Sequence, residues 1–121
     1  PDRPLLRLGD LAAGPCQLTK VDACSNRLRL EDLLPLDVRE PDERAKASIP
    51  GAQAIPLAEV EERVEEIADW RERPVVVHCH HGGRSAEACE TLMRLGFSQV
   101  ENLDGGIEAW SLTVDGSVPR Y

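Results

Sequence analysis

Short continuous apolar runs along the chain give way to stretches of helical hydrophobic period, and the switches mark out short strands and helices. Residues 33–38 are an apolar run ending at Asp37, read as a strand that Pro35 assigns to a sheet edge or a strand start. Glu40-Pro41-Asp42-Glu43 opens a helix, with proline early and acids in the first turn. Ile49-Pro50-Gly51-Ala52 reads as a turn and Ala54-Ile55-Pro56 as a very short strand. Leu57, Val60, Val64 and Ile67 recur at helical spacing, while Glu59, Glu61, Glu62, Glu65 and Glu66 cover the other face; this predicts a helix over residues 57–69. Val75-Val76-Val77, after Pro74, is too short for a helix and suits a buried parallel strand. Residues 85–95 form a helix that turns Ala86, Cys89, Leu92 and Met93 inward and is closed by Gly96. A strand over 99–103 follows, then a turn at Asp104-Gly105-Gly106 and a last helix through Trp110. Residues 1–30 carry no readable pattern, and 111–121 read as a polar tail.

Alternating strands and helices argue for an α/β fold, with a largely parallel central sheet and helices on both faces. With 121 residues the chain suits a single domain over 1–121. Aromatics make up only 3% of it, so the core must be built from Leu, Val, Ile and Ala. No apolar run approaches a membrane span, and residues 1–15 do not read as a signal peptide. The chain lacks a starting Met, which fits a processed chain or a domain cut from a longer one. A net charge of −8 argues against nucleic acid as a partner. Cys16, Cys24, Cys79 and Cys89 have no CxxC spacing, and a reducing cytoplasm with free thiols is the expected setting.

The chemistry is concentrated in Val75-Val76-Val77-His78-Cys79-His80-His81-Gly82-Gly83-Arg84-Ser85. A cysteine here stands at the carboxyl end of a parallel strand and just before a helix, the edge where open α/β sheets bind ligands. Loop amides and the positive helix terminus can converge on one anion there, a thiolate or the outer sulfur of a persulfide. Lowering a cysteine by about two pH units takes about 2.7 kcal/mol. A helix terminus supplies up to about 2 kcal/mol, and a charge-assisted hydrogen bond about 1.5 or more. No dedicated base is required. Gly82 and Gly83 are expected to allow the sharp turn.

Cys79-His80-His81-Gly82-Gly83-Arg84-Ser85 resembles the active loop of the rhodanese family. Leu36-Asp37-Val38-Arg39-Glu40, Ile49-Pro50-Gly51-Ala52, Ile55-Pro56-Leu57, Leu95-Gly96-Phe97 and Leu103-Asp104-Gly105-Gly106-Ile107 with Trp110 resemble further family signatures in order. The similarity covers residues 34–110. It implies a rhodanese-like fold and a thiosulfate sulfurtransferase-like enzyme in which Cys79 carries sulfane sulfur as a persulfide. His80, His81, Gly82, Gly83, Arg84 and Ser85 would form the active, substrate-binding loop, with Arg84 holding the loop or binding an anionic substrate. Asp37 and Arg39 would support it, and Asp104, Gly105 and Gly106 would determine the fold. The sequence departs from the family pattern at Ser48, where His is common, and at His80 and His81, where fixed cations are common.

The ending Val114-Asp115-Gly116 with Pro119-Arg120-Tyr121 is similar to rhodanese domains fused behind E1-like enzymes. That implies a ubiquitin-like sulfur carrier, for molybdopterin synthesis or tRNA thiolation, and an E1-like enzyme as partners. The donor would be thiosulfate or a persulfidated protein; no cofactor, metal, nucleic acid or membrane is expected. A tyrosine-phosphatase reading fails because four residues, not five, separate Cys79 from Arg84. A metal site built from His78, Cys79, His80 and His81 fails because adjacent strand-end residues point to alternate sides. A non-catalytic rhodanese-like interaction module is the remaining alternative. Cys89 is read as core.

Overall fold

The computed structural model describes residues 16–30 and 33–121. Five strands run in parallel: β1 (Gln17–Thr19), β2 (Leu34–Asp37), β3 (Gln53–Ala54), β4 (Val75–His78) and β5 (Val100–Leu103), in the spatial order β1-β5-β4-β2-β3. The helices are α1 (Val21–Leu30), α2 (Pro41–Lys46), α3 (Val60–Arg63), α4 (Gly83–Arg94) and α5 (Gly106–Thr113).

β4 sits at the centre and is buried at every position, which accounts for its unbroken apolar run. Val75 and Val77 face one core with Val60, Val64, Ile67, Ala88, Cys89 and Leu92. Val76 faces the other with Val21, Cys24, Ile107, Trp110 and Val118. Helices therefore cover both faces of the parallel sheet, as the alternation of elements requires. Pro35 is tolerated in β2 for a local reason. Leu34 N–H donates to the carbonyl of Pro74, just before β4, and Val38 N–H to that of His78 at its end, so the Pro35 nitrogen faces away from β4, and β3 begins only opposite Leu36.

Several elements differ from the sequence reading. The pattern-free stretch before residue 30 holds both β1 and α1, while residues 1–15, with the judgement that they carry no leader, lie outside the described residues. The expected helix over 57–69 is instead a 3₁₀ turn (Leu57–Glu59), one α turn (α3) and a longer 3₁₀ stretch (Val64–Trp70) that breaks at Ile67. Val60, Val64 and Ile67 are buried as expected, but Ala88 replaces Ala86 on the inward face of α4, and Met93 is only half-buried. α5 runs past Trp110 to Thr113, and the tail is not simply polar: Val118 is buried in the core and Tyr121 packs against it. The turn at 49–52 is present, with Ala52 donating to Ile49 O and Gly51 at φ +86°.

Candidate active site

β4 ends at His78, and the chain leaves the sheet at Cys79 to re-enter regular structure at Gly83, the first residue of α4. Between them Gly82 takes φ +129°, a conformation open to glycine, so the loop folds back over its own start. Gly83 is different: it has no left-handed φ and its Cβ position is open, so only the first of the two glycines is needed for the turn.

The fold-back places the unpaired amides of the α4 N-terminus around the Cys79 sulfur. Gly82 N–H donates to Sγ at 3.1 Å and Ser85 N–H at 3.4 Å, and Ser85 Oγ lies 3.4 Å away. Burial alone would push the Cys79 thiol up. Hydrogen bonds from the Ser85 side chain and from the Ser85, Gly82 and Arg84 amides outweigh it and hold the thiol below its ordinary value. No titratable base touches this sulfur in the hydrogen-bond network of the described residues. The loop amides and one hydroxyl account for the lowering.

Asn102 supports this loop from below and carries no signal in the motif. Its Nδ2 donates to Gly82 O at 3.1 Å and its Oδ1 accepts from Ser85 Oγ. A buried Asn in the middle of a parallel strand, between Val100 and Leu103, is the hint the sequence offered. α5 closes the other side. Ile107 N–H and Glu108 N–H donate to the carbonyls of Cys79 and His80, at 3.0 and 3.1 Å. Gly106 permits this approach: a Cβ there would stand 2.5 Å from His80 O and 2.6 Å from Cys79 O.

The Arg84 side chain makes no hydrogen bond to the sulfur, although the Cys79 charge is among those that raise its guanidinium. Its guanidinium grips Glu43 of α2 with both nitrogens, at 2.6 and 2.9 Å, and so ties the loop to α2. That pairing holds the Glu43 carboxyl at about 2, with the Tyr121 hydroxyl adding to it at 2.9 Å. Asp37 and Arg39 also stand back from the sulfur. They form a fully buried pair in which Nε and Nη2 of Arg39 meet the two Asp37 oxygens at 3.0 and 2.7 Å. Arg44 adds a contact to Asp37 at 3.1 Å, and His78 Nε2 lies 3.4 Å from it. Burial raises the Asp37 carboxyl, but His78 and Arg39 prevail and keep it well below the usual carboxylate range. Arg39 then donates to the Tyr121 hydroxyl at 2.7 Å. Tyr121 thereby joins the buried pair to Glu43 and Arg84. The sequence reading gives Glu43 only as part of a helix opening and Tyr121 only as part of the tail signature, and neither as a residue of the site.

The two loop histidines lie outside the amide cradle. His80 is stacked between His81 and Tyr121, with ring centroids 4.1 Å apart on each side. Burial and then the neighbouring His81 lower His80 below its ordinary value. Cys89 is fully buried in the apolar core, and its thiol is pushed far up by its hydrogen bond with Cys16 and by burial. Cys24 is raised to about 11 by burial, and all four cysteines are free thiols.

A parallel α/β sheet with a cysteine held on an amide-lined strand-to-helix loop defines a class of proteins that use an activated sulfur. The chain belongs to the rhodanese-like domain family, whose model matches residues 20–113. It is 40% identical over 97 residues to a sulfurtransferase of Allochromatium vinosum, covering 78% of this chain and 89% of that one. Thiosulfate sulfurtransferase GlpE of Pseudoalteromonas translucida is 31% identical over 90 residues, 74% of this chain and 84% of the relative. Other relatives are longer, and the chain spans 29% to 58% of their length. A rhodanese-related protein from Thermoplasma volcanium superposes with a TM-score of 0.73 at 31% identity, over 81% of this chain and 93% of that one. The domain is thus of the rhodanese, sulfurtransferase type. No helix among the described residues is long and apolar enough to cross a membrane.

Proposed function

We propose that Cys79 is the catalytic nucleophile and carries sulfane sulfur as a persulfide between a donor and an acceptor. The thiolate attacks the outer sulfur of thiosulfate or of a persulfidated protein. The donor's sulfur–sulfur bond breaks, and sulfite or the donor thiolate leaves with its electron pair. An acceptor nucleophile then attacks the outer sulfur on Cys79, and Cys79 departs as a thiolate. The observation that carries this reading is the convergence of the Gly82 and Ser85 amides and the Ser85 hydroxyl on Sγ. An amide-lined loop also suits the outer sulfur of a persulfide, an anion of the same kind.

Arg84 serves to hold the loop and Asp37 with Arg39 to hold the sheet edge beneath it, which leaves no fixed cation hydrogen-bonded to Sγ among the described residues. That favours a protein acceptor, a ubiquitin-like sulfur carrier adenylated by an E1-like enzyme, over a simple anion. The persulfide would attack the carrier's acyl carbon with loss of AMP. A two-electron reductant would then split the resulting acyl disulfide into a thiocarboxylate and the Cys79 thiol. The tail similarity of residues 114–121 supports the same acceptor.

The test is mass spectrometry after incubation with thiosulfate or a persulfidated protein. One added sulfur atom is expected on the parent, none on Cys79→Ser, and near-parental loading per folded molecule on Cys89→Ala. A parent that gains no sulfur from either donor is an interaction module instead. Mixing the loaded protein with adenylated carrier and reductant should convert the carrier to a thiocarboxylate. Transfer to cyanide but to no carrier confines the protein to small acceptors.

A further inference from the structure

One cluster beside the active loop has no part in this chemistry. His80, His81 and Glu108 bring one ligand atom each to within 4.8 Å of one another. Sequence alone does not suggest it, because Glu108 lies 27 positions along the chain from His81 and joins the loop only through α5. The reason for rejecting a histidine site on alternation also lapses here. His80 and His81 have left the strand, and their rings lie side by side.

Three features make the cluster a built site. The backbones that bear the ligands are fixed to each other, since Glu108 N–H donates to His80 O and Ile107 N–H to Cys79 O. Glu108 is oriented, because Arg120 occupies its Oε2 at 2.6 and 2.9 Å and leaves Oε1 facing His80 Nε2 at 3.8 Å. His80 Nε2 is buried and has no hydrogen-bond partner, so a polar atom aimed at the carboxylate is unsatisfied. We propose that His80, His81 and Glu108 form a binding site for a borderline divalent metal ion, of which Zn²⁺ is the representative, at the edge of the Cys79 loop.

Two imidazoles and a carboxylate are the donor set of open zinc sites, with a fourth position left for water or an incoming thiolate. Zinc bonds of about 2.0–2.1 Å set tetrahedral donors about 3.3 Å apart. Rotation of the exposed His81 and small shifts of the other two side chains close the present spacing. A metal bound here fastens loop residues 80 and 81 to α5 and offers its open position to any thiol approaching Cys79. Occupancy therefore slows sulfur transfer.

The experiment is a Zn²⁺ titration of tag-free, reduced protein by calorimetry, with Co²⁺ absorption as the spectroscopic probe. One ion per chain is expected, with at least a tenfold weaker dissociation constant in Glu108→Gln and in His81→Ala. Cys79→Ser should bind as the parent does, and the Co²⁺ spectrum should lack a thiolate charge-transfer band. Circular dichroism of each variant establishes that it is folded. Zinc should also inhibit sulfur transfer by the parent at the concentrations at which it binds, and inhibit Glu108→Gln only at concentrations at least tenfold higher. Binding lost in Cys79→Ser, a thiolate band, or undiminished affinity in both ligand variants would overturn the proposal. The titration reads the metal directly, so it stands whether or not the protein proves to transfer sulfur.

Discussion

Ser85 has a single hydroxyl proton and three neighbours that can take it. Its Oγ lies 2.5 Å from Asn102 Oδ1, 3.2 Å from Gly82 O and 3.4 Å from the Cys79 sulfur. With Cys79 as a thiol, the serine proton is best placed on Asn102 and the sulfur donates to Oγ. Once the thiolate forms, the charge makes sulfur the stronger acceptor and the hydroxyl turns to it. Ser85→Ala removes that hydrogen bond but keeps the Ser85 amide. A charge-assisted bond of about 1.5 kcal/mol corresponds to about one pH unit, so Cys79 alkylation should reach its half-maximal rate about one unit higher in the variant. An unchanged rate profile would mean that the amides act alone. At this scale the motif around Cys79 was legible because its residues are contiguous. Asn102, Glu43 and Tyr121 were not, because each reaches the loop from a separate element, and only folding brings them together.

The helix expected over 57–69 shows how a correct face can belong to the wrong element. Leu57, Val60, Val64, Ile67 and Trp70 are spaced by three residues at every step but one, which suits the three-residue turn of a 3₁₀ helix better than the α-helix. Glu61 with Glu65, and Glu62 with Glu66, would also repel across an α-helical turn. The burial pattern was readable; the rise per residue was not. α1 was missed for the opposite reason: Val21, Cys24 and Leu28 make a thin apolar stripe amid polar residues. Glycines separate what an element needs from what it tolerates. Gly106→Ala puts a Cβ into the backbone of residues 79 and 80 at φ +60°, and should cost about 2 kcal/mol or more, roughly 6–12 °C in melting temperature. Gly83→Ala meets open space with an ordinary φ, and should raise the melting temperature by a few degrees by restricting the unfolded chain. Thermal unfolding of the two variants side by side decides it. Equal losses would show that the α5 contact is not as tight as the geometry requires.

Across the whole molecule, one chain of charges links the buried sheet edge to the active loop. Asp37 pairs with Arg39, Arg39 donates to Tyr121, Tyr121 donates to Glu43, and Glu43 holds Arg84. Both carboxyls are held below their unfolded values, Glu43 at about 2 and Asp37 well under the usual range. As pH falls, the unfolded chain takes up these protons first, so the native state loses its advantage. The stability these groups supply is complete above about 4.5, the ordinary glutamate value, and is lost as pH falls toward 2. The melting temperature should therefore decline gently below about 6.5, where the unfolded chain protonates His80 first, and drop steeply between about 4.5 and 2. The two ends of the chain of charges differ in what they leave behind. Glu43→Gln frees an Arg84 side chain that is 37% exposed and can hydrate, so its cost at pH 7 should be the smaller of the two, and the acid limb should flatten by the same amount. Asp37→Asn leaves Arg39 fully buried without its counter-ion, and should cost about 3–5 kcal/mol at neutral pH. Melting curves of the parent and both variants from pH 7 to pH 2 measure this. A parent whose stability holds level down to pH 2, or an Asp37→Asn variant as stable at pH 7 as Glu43→Gln, would show that the buried pair does not anchor the sheet edge beneath Cys79.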